Sequence, residues 1–245
     1  MAPPSREYIY GINPIFEVVR AGRRTLYQAF LNSATAKQPR LSKLADYLQR
    51  NDISIEWVDK QRLFDLSRSK EHQGAVLKTS VYPYVPFDGM LEEPRLLMLD
   101  NVEDPSNVGG IIRSAEIFGF HRILLPTKGT PDIYPSVVKV SAGASEHLRM
   151  CKAHTANQYV KAAMQAGYTV VALDGKGSTL LTDLDKQAIP KLLLVIGGED
   201  KSVGQFILNE AHYVARIPMQ GRVNSLNASV AAGIAMFTLG PTPGV

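Results

Sequence analysis

The sequence contains a single cysteine among its 245 residues, which excludes an internal disulfide network and a metal centre built on several cysteines. The first residues lack an apolar segment of the kind found in signal peptides. The longest apolar runs, 192–196 and 230–239, are too short to cross a bilayer. We therefore expect a cytoplasmic protein without a signal peptide or a membrane span.

Several catalytic motifs are also missing. The sequence has no His-Glu-x-x-His motif and no cluster of histidine and cysteine, so we expect no catalytic metal. It has no phosphate-binding loop of the Walker type, which argues against an NTPase. The segment 173–179 contains only two of the three glycines of a dinucleotide motif, and no helix is predicted directly after it.

Apolar residues make up 45% of the sequence, which is enough for a packed core. Residues 1–50 contain eight Lys/Arg and three Asp/Glu, and such a basic excess suits an RNA phosphate backbone as well as an ordinary solvated surface. The basic residues of this region that we expect at the surface are Arg20, Arg23, Arg24, Lys37, Arg40, Lys43 and Arg50.

The pattern of helices and strands predicts two domains. Residues 1–80 alternate helix and strand, beginning with a helix capped by Asn13, and form a small α/β domain. A linker rich in proline and aromatic residues covers 81–93. Residues 94–245 contain continuous apolar strands alternating with helices, which predicts a parallel sheet covered on both faces.

Polar residues follow three of the predicted strands, where ligands collect in parallel sheets. Asn107 and Arg113 follow strand 96–99, Glu199 follows strand 192–196, and Ser225 and Asn227 follow strand 213–217. Each has an ordinary structural alternative. Arg113 could pair with the glutamate three residues on, Glu199 could favour a helix start, and Ser225 or Asn227 could cap the last helix. That helix consists largely of small residues, which permit another backbone to approach closely.

Three segments carry a family resemblance. They are Asp-Pro-Ser-Asn-Val-Gly-Gly-Ile-Ile-Arg-Ser-Ala at 104–115, Val-Ile-Gly-Gly-Glu at 195–199, and Ile-Pro-Met at 217–219 followed by Ser-Leu-Asn-Ala-Ser-Val-Ala at 225–231. In this order they resemble the motifs of the TrmH/SpoU branch of the SPOUT methyltransferases. Upstream, Tyr10-Gly-Ile-Asn-Pro and His72-Gln-Gly74 resemble parts of the branch's ribosomal-protein-like RNA-binding domain.

The resemblance implies an α/β SPOUT domain with a C-terminal trefoil knot, a homodimer, and bound S-adenosylmethionine. It implies cofactor contacts at Gly197, Gly198, Ile217 and Leu226. It also implies a catalytic set, which is Asn107, Arg113, Glu199, Ser225 and Asn227. We expect Arg113 to anchor a phosphate and stabilise the developing oxyanion, because arginine stays protonated in proteins.

The whole chain is most similar in plan to the bacterial enzymes of the RlmB type, which methylate a guanosine ribose in 23S rRNA. A tRNA 2'-O-methyltransferase is an alternative, although the N-terminal domain disfavours it. A non-catalytic RNA-binding or ribosome-assembly factor on the same fold is a second alternative. The sequence departs from the family at Asp200-Lys201, where the family usually has glycine, and at Asn224.

Overall fold

The computed structural model describes residues 5–199, 201–223 and 225–241. The chain forms two compact units, and each is described by itself. Unit 1 comprises residues up to Pro83 together with Ile133–His147, and unit 2 comprises Tyr84–Asp132 together with the chain from Leu148 onward. None of the helices in the described ranges combines the length and apolar character needed to cross a membrane.

Unit 1 contains a four-stranded sheet in the order β1-β4-β2-β3. β4 pairs antiparallel with both β1 and β2, whereas β2 and β3 are parallel. Its elements are β1 (Arg6–Tyr10), α1 (Ile12–Ala21), β2 (Leu26–Asn32), α2 (Pro39–Arg50), β3 (Ile55–Val58), α3 (Lys60–Ser67), β4 (Ala75–Ser80) and α5 (Pro135–Val140).

Two details of the predicted first domain were wrong. Strand β1 was not predicted, because only Ile9 and Tyr10 are buried in this edge strand and its apolar pattern is weak. The predicted cap Asn13 lies inside α1, which begins at Ile12 after Gly11. Gly11 has a φ of +97°, a backbone conformation that residues with a Cβ atom rarely adopt.

The segment 133–147 packs with residues 1–83, although it lies within the range predicted as the second domain. Glu146 of this segment accepts two hydrogen bonds of 2.8 Å from the guanidinium of Arg24, and both side chains are fully buried. Arg24 also pairs with Glu7. The expectation that Arg24 belongs to a basic surface was therefore wrong. Arg23 is half-buried and bonds the carbonyl oxygens of Pro83 and Glu146.

Unit 2 contains a seven-stranded sheet in the order β7-β6-β5-β10-β8-β11-β9, and every pair in it is parallel. Its strands are β5 (Arg95–Asp100), β6 (Arg122–Leu124), β7 (Arg149–Cys151), β8 (Thr169–Leu173), β9 (Thr179–Leu180), β10 (Leu192–Gly197) and β11 (Tyr213–Arg216). Its α-helices are α4 (Pro105–Ile117), α6 (Ala156–Gln165), α7 (Gln205–Glu210) and α8 (Ala228–Leu239).

The core of unit 2 lies around β5 and β10, which are neighbours in the middle of the sheet. Leu96–Leu99 and Leu192–Ile196 are almost completely buried, as expected for strands covered on both faces. The two-residue strand β9 at the sheet edge was not predicted, because it is too short to show a periodic pattern. Strands β5, β10 and β11 run in the same direction and end at the same edge of the sheet, where residues 101–107, 198–199 and 217–223 follow them.

Candidate active site

A cavity of about 180 Å³ lies beyond the carboxyl ends of β8, β10 and β11, next to the start of α8. The four predicted cofactor contacts and two of the five predicted catalytic residues border it. The bordering residues are Leu173, Asp174, Gly175, Ile196, Gly197, Gly198, Glu199, Ser202, Ile217, Met219, Ser225, Leu226, Ala228 and Ala231. Asn107, Arg113 and Asn227 are not part of the cavity wall.

Asn227 connects this cavity to α4. Its side-chain Nδ2 donates hydrogen bonds to Oδ1 of Asn107 at 2.8 Å and to Oε1 of Glu199 at 2.7 Å. Its Oδ1 caps α8 by accepting from the backbone N–H of Ser229 at 3.0 Å. Because that N–H can only donate, the amide must face this way, and Nδ2 is left for the other two residues. Helix capping and the polar network therefore depend on one side chain.

Arg113 lies on α4 with an exposed side chain. Within the described part of the chain it has no hydrogen bond or ion pair, so the alternative pairing with Glu116 is not formed. An exposed guanidinium without a partner is available to bind an anionic group, and its planar geometry suits phosphate.

The approach of α8 to α4 depends on small residues. A Cβ added at Gly110 would lie 2.9 Å from the Cβ of Ser229, which is closer than side chains normally pack. At Gly233 an added Cβ would lie 3.6 Å from Oγ of Ser114, an ordinary contact. The close approach expected from the small residues of α8 is confirmed at Gly110, and it brings Asn107 and Asn227 within hydrogen-bonding distance.

Gly197 and Gly198 are required by the neighbouring backbone. A Cβ at Gly198 would lie 2.0 Å from the carbonyl oxygen of Asn101, and one at Gly197 would lie 2.5 Å from the nitrogen of Val203. The family resemblance assigns both glycines to the cofactor. The structure shows a second requirement, since the end of β10 packs directly against the backbone of Asn101 and Val203.

Asp100 fastens this turn from the end of β5. Its buried carboxylate accepts a hydrogen bond of 2.8 Å from the backbone N–H of Gly204, and its carbonyl oxygen accepts one of 3.1 Å from Gly198. Burial raises the pKa of the Asp100 carboxyl, and the bond from Gly204 opposes this shift. Asp100 thus holds the segment that carries Glu199, a role that sequence reasoning missed.

Asp174 is a second residue that the sequence analysis did not single out. It follows β8, and its Oδ1 accepts a hydrogen bond of 2.8 Å from the N–H of Lys176, which folds the chain into a turn beside the cavity. The signal was its position after a buried parallel strand, but the segment was judged only as a dinucleotide motif. Asp174 and Glu199 are the charged side chains among the described residues that border the cavity.

The chemistry of the cavity fits S-adenosylmethionine. Apolar side chains of Leu173, Ile196, Ile217 and Leu226 offer a surface for an adenine ring, and the two carboxylates suit a ligand with positive charge. In the described ranges no group of three or more His, Cys, Asp or Glu side chains is arranged to hold a metal ion. The departures at Asp200 and Asn224 lie outside the described residues, so their effect on this site stays a prediction.

Comparisons with known proteins agree with these features. Residues 94–237 match the SpoU rRNA Methylase family, and residues 8–85 match the family described as RNA 2'-O ribose methyltransferase substrate binding. YacO of Bacillus subtilis, assigned to the TrmH family of tRNA/rRNA methyltransferases, is 30% identical over 238 aligned positions, and the match covers 94% of each chain.

Solved structures share the fold over nearly the whole chain. A crystal structure of an RNA 2'-O ribose methyltransferase has a TM-score of 0.83 at 25% identity and covers 96% of this chain and 88% of its own. An AdoMet-bound rRNA methyltransferase from Sinorhizobium meliloti has a TM-score of 0.78 at 24% identity, covering 96% and 87%. The predicted α/β fold with its N-terminal domain is confirmed, whereas the trefoil knot stays a prediction.

Proposed function

The chain belongs to the SpoU rRNA methylase family, and we propose that it methylates a ribose 2'-hydroxyl of RNA with S-adenosylmethionine as the methyl donor. The observation that carries this proposal is the hydrogen-bond network of Asn227, Asn107 and Glu199 at the border of the cavity. It joins α4, the turn after β10 and the start of α8, the three segments that carry the family motifs.

S-adenosylmethionine, when bound, supplies an electrophilic methyl group. We assign its binding to the cavity, with backbone groups of Gly197, Gly198, Ile217 and Leu226 around it and Asp174 as an additional contact. In this proposal Glu199 and Ser225, which border the same cavity, face the ribose. Asn227 orients Glu199 through the 2.7 Å hydrogen bond.

Methyl transfer would form a bond between the 2'-oxygen and the methyl carbon while the bond from that carbon to the sulfonium sulfur breaks. S-adenosylhomocysteine would be the leaving group, and the hydroxyl proton must leave as well. Arg113 cannot accept that proton, because a guanidinium stays protonated in proteins. We assign Arg113 to the phosphate beside the target ribose, where its charge stabilises negative charge developing on the 2'-oxygen. The proton then passes to that phosphate or to water.

We propose a guanosine of 23S rRNA as the substrate and the cytoplasm as the compartment. The match of residues 8–85 to a substrate-binding family supports a large RNA read by two units of the protein. A tRNA substrate and a non-catalytic assembly factor are the alternatives.

Ribose-methylation mapping of rRNA and tRNA from a deletion strain, with and without the restored gene, tests the substrate. We expect one 23S rRNA guanosine to lose its 2'-O-methyl group and to regain it on complementation. Loss of a tRNA methyl group would replace the rRNA proposal. Unchanged RNA together with no calorimetric binding of S-adenosylmethionine would favour the assembly factor.

We also propose that the protein acts as a homodimer. α8 exposes Val230, Ile234 and Phe237, which lie on one side of the helix at spacings of four and three residues. On α4, Ile117 is 65% exposed. A second copy of this chain would cover these side chains by presenting the same face, as expected for a two-fold symmetric contact.

Sedimentation of Phe237→Glu tests the dimer, because Phe237 is 72% exposed and a buried charge there would oppose association. Val81→Glu, at a 40% exposed position of unit 1, serves as the control. We expect the wild type and the control to sediment as dimers and Phe237→Glu as a monomer. A monomeric wild type would overturn the proposal.

A further inference from the structure

Unit 1 contains a groove between its first two helices. One part is a cavity of about 410 Å³ bordered by Ile12, Asn13, Phe16, Glu17, Arg20, Arg40 and Lys43. A second cavity of about 410 Å³ shares Ile12 and Arg40 with the first and is completed by Gln38, Pro39 and Gln73. We call these residues together the α1–α2 groove.

The groove contains more positive charge than its carboxylate neutralises. Glu17 is bonded to Arg20 at 2.7 Å and to His147 at 2.8 Å. Among the described residues, Arg40 donates only to the neutral amide of Asn13, at 2.9 Å. Lys43 is exposed and forms no hydrogen bond or ion pair with any described residue. Two full positive charges are thus left for an anion.

The segment 133–147 adds a third cation next to the groove. A Cβ at Gly11 would lie 2.8 Å from Nζ of Lys139 and 3.4 Å from Oε1 of Gln73, so Lys139 reaches the start of α1 because position 11 is glycine. Gln73 itself accepts a hydrogen bond of 3.2 Å from the N–H of Ile12. Lys139 has no hydrogen bond or ion pair in the described part of the chain.

The surroundings of Lys139 disfavour its ammonium form. The first turn of a helix carries partial positive charge and repels a cation. Burial lowers the pKa of Lys139; Glu71 opposes the shift, and the positive charge of Arg40 adds to it. An anion held between Lys139, Arg40 and the start of α1 would relieve this repulsion.

An aromatic side chain borders the same groove. Phe16 is half-buried in its wall, and its ring centroid lies 5.1 Å from that of Tyr47. Aromatic rings beside cationic side chains are typical of surfaces that bind single-stranded nucleic acid, since the ring stacks on a base while the cations bind phosphates.

We propose that the α1–α2 groove binds unpaired nucleotides of the substrate RNA, with Arg40, Lys43 and Lys139 on phosphates and Phe16 stacked on a base. This inference rests on the proposed RNA methyltransferase function and assigns a residue-level RNA site to unit 1. Lys139 reaches this site from the segment that separates β6 from β7 in sequence, so the site combines two distant parts of the chain.

The test measures binding of the full-length protein to a 30-nucleotide random-sequence single-stranded RNA and to a duplex of equal length, at several salt concentrations. We expect the double variant Arg40→Ala/Lys43→Ala to bind the single strand about tenfold more weakly, and its salt dependence to fall by about 1.4 in log–log slope. The control is Arg62→Ala/Lys70→Ala, which removes the same charge from exposed positions of unit 1.

The stacking contact is measured with 2-aminopurine in the RNA strand. We expect its fluorescence to be quenched on binding to the wild type and to recover in Phe16→Leu. The proposal is overturned if the wild type does not bind the single strand, if it prefers the duplex, or if the control pair weakens binding as much as Arg40→Ala/Lys43→Ala. Calorimetry with S-adenosylmethionine on the same variants distinguishes failure of this RNA site from failure of the proposed function. If only the RNA site is wrong, the wild type and the variants should still bind the cofactor equally well.

Discussion

Nδ2 of Asn227 lies 2.7 Å from Oε1 of Glu199, and the same amide caps α8 through its oxygen. One side chain therefore sets the start of the last helix and the position of a carboxylate after β10. Because the two duties use different atoms, substitutions can separate them.

Asn227→Ser should retain the cap and lose both donor contacts, whereas Asn227→Ala should lose the cap as well. We expect methyl transfer to fall about 100-fold in both variants, because Glu199 is no longer oriented. The alanine variant alone should lose about 1 kcal/mol of unfolding free energy. Methyl-transfer assays and urea denaturation measure the two effects, and a serine variant with near wild-type turnover would contradict the role of the network.

Arg113→Ala should reduce methyl transfer to RNA by a factor of about 100 or more, because a phosphate anchor and a stabilising charge are lost together. Calorimetry should show unchanged binding of S-adenosylmethionine, since Arg113 does not border the cavity. Arg149→Ala, another exposed arginine of unit 2, is the matched control and should retain activity. Loss of cofactor binding in Arg113→Ala would assign the residue a different role.

Asp174→Asn should weaken binding of S-adenosylmethionine more than binding of S-adenosylhomocysteine, which lacks the positively charged sulfonium. The asparagine oxygen can still accept the hydrogen bond from Lys176, so the turn should persist. We expect the affinity ratio of the two ligands to change by about tenfold or more, because opposite charges about 4 Å apart attract by about 1 kcal/mol in water and about 4 kcal/mol near a protein surface. Equal weakening of both ligands in calorimetry would show that the charge of Asp174 does not select the cofactor.

Arg24→Met should strongly destabilise unit 1, because Glu146 would stay buried without its partner. The expected loss of unfolding free energy is about 3–5 kcal/mol. Glu146→Gln in the same chain should restore part of it by removing the buried charge. Arg20→Met, which breaks an exposed pair with Glu17, should cost less than about 1 kcal/mol. Urea denaturation, monitored by circular dichroism, measures the free energy of unfolding of Arg24→Met, of the double variant and of Arg20→Met. Equal losses in Arg24→Met and Arg20→Met would contradict the role of the buried pair in anchoring segment 133–147.

Asp100→Asn should make unfolding less dependent on pH. Burial raises the pKa of Asp100 in the folded state. The stability that the protonated carboxyl contributes is therefore fully present below the unfolded-state pKa, about 3.9, and is lost as the pH rises through the folded-state pKa. The variant does not titrate and should gain stability relative to the wild type from acidic to neutral pH. Denaturation at pH 4 and pH 7 measures the difference. A variant that is less stable than wild type at pH 7 would show that the carboxylate's bond to Gly204 outweighs the cost of burial.

Much of the fold could be predicted from local patterns. The starts of α2 and α3 are marked by local signals, which are the proline at the start of α2 and the Asp59 cap of α3. β1 and β9 were missed, since an edge strand and a two-residue strand bury too few apolar side chains to show a period. The start of α1 was displaced because Gly11 replaces a side-chain cap, and glycine gives no distinctive capping signal.

Like the fold, the candidate site contains residues that were predicted from the sequence and residues that were missed. The motif residues Asn107, Glu199 and Asn227 are visible in the sequence, and the structure joins them by hydrogen bonds. Asp174 and Asp100 belong to no motif that the sequence analysis used, and they become relevant only once the strand ends lie side by side.

The amino-acid sequence was enough to predict the alternation of buried strands and helices, the family motifs, and the small residues that let α8 approach α4, because each depends on residues close together in the chain. Three features became visible only in the folded chain: segment 133–147 packs with unit 1, Arg24 is buried against Glu146, and Lys139 reaches Gly11. The last two contacts join residues more than a hundred positions apart. Their partners are selected by packing and by the cost of leaving a buried charge unpaired, which no local pattern records.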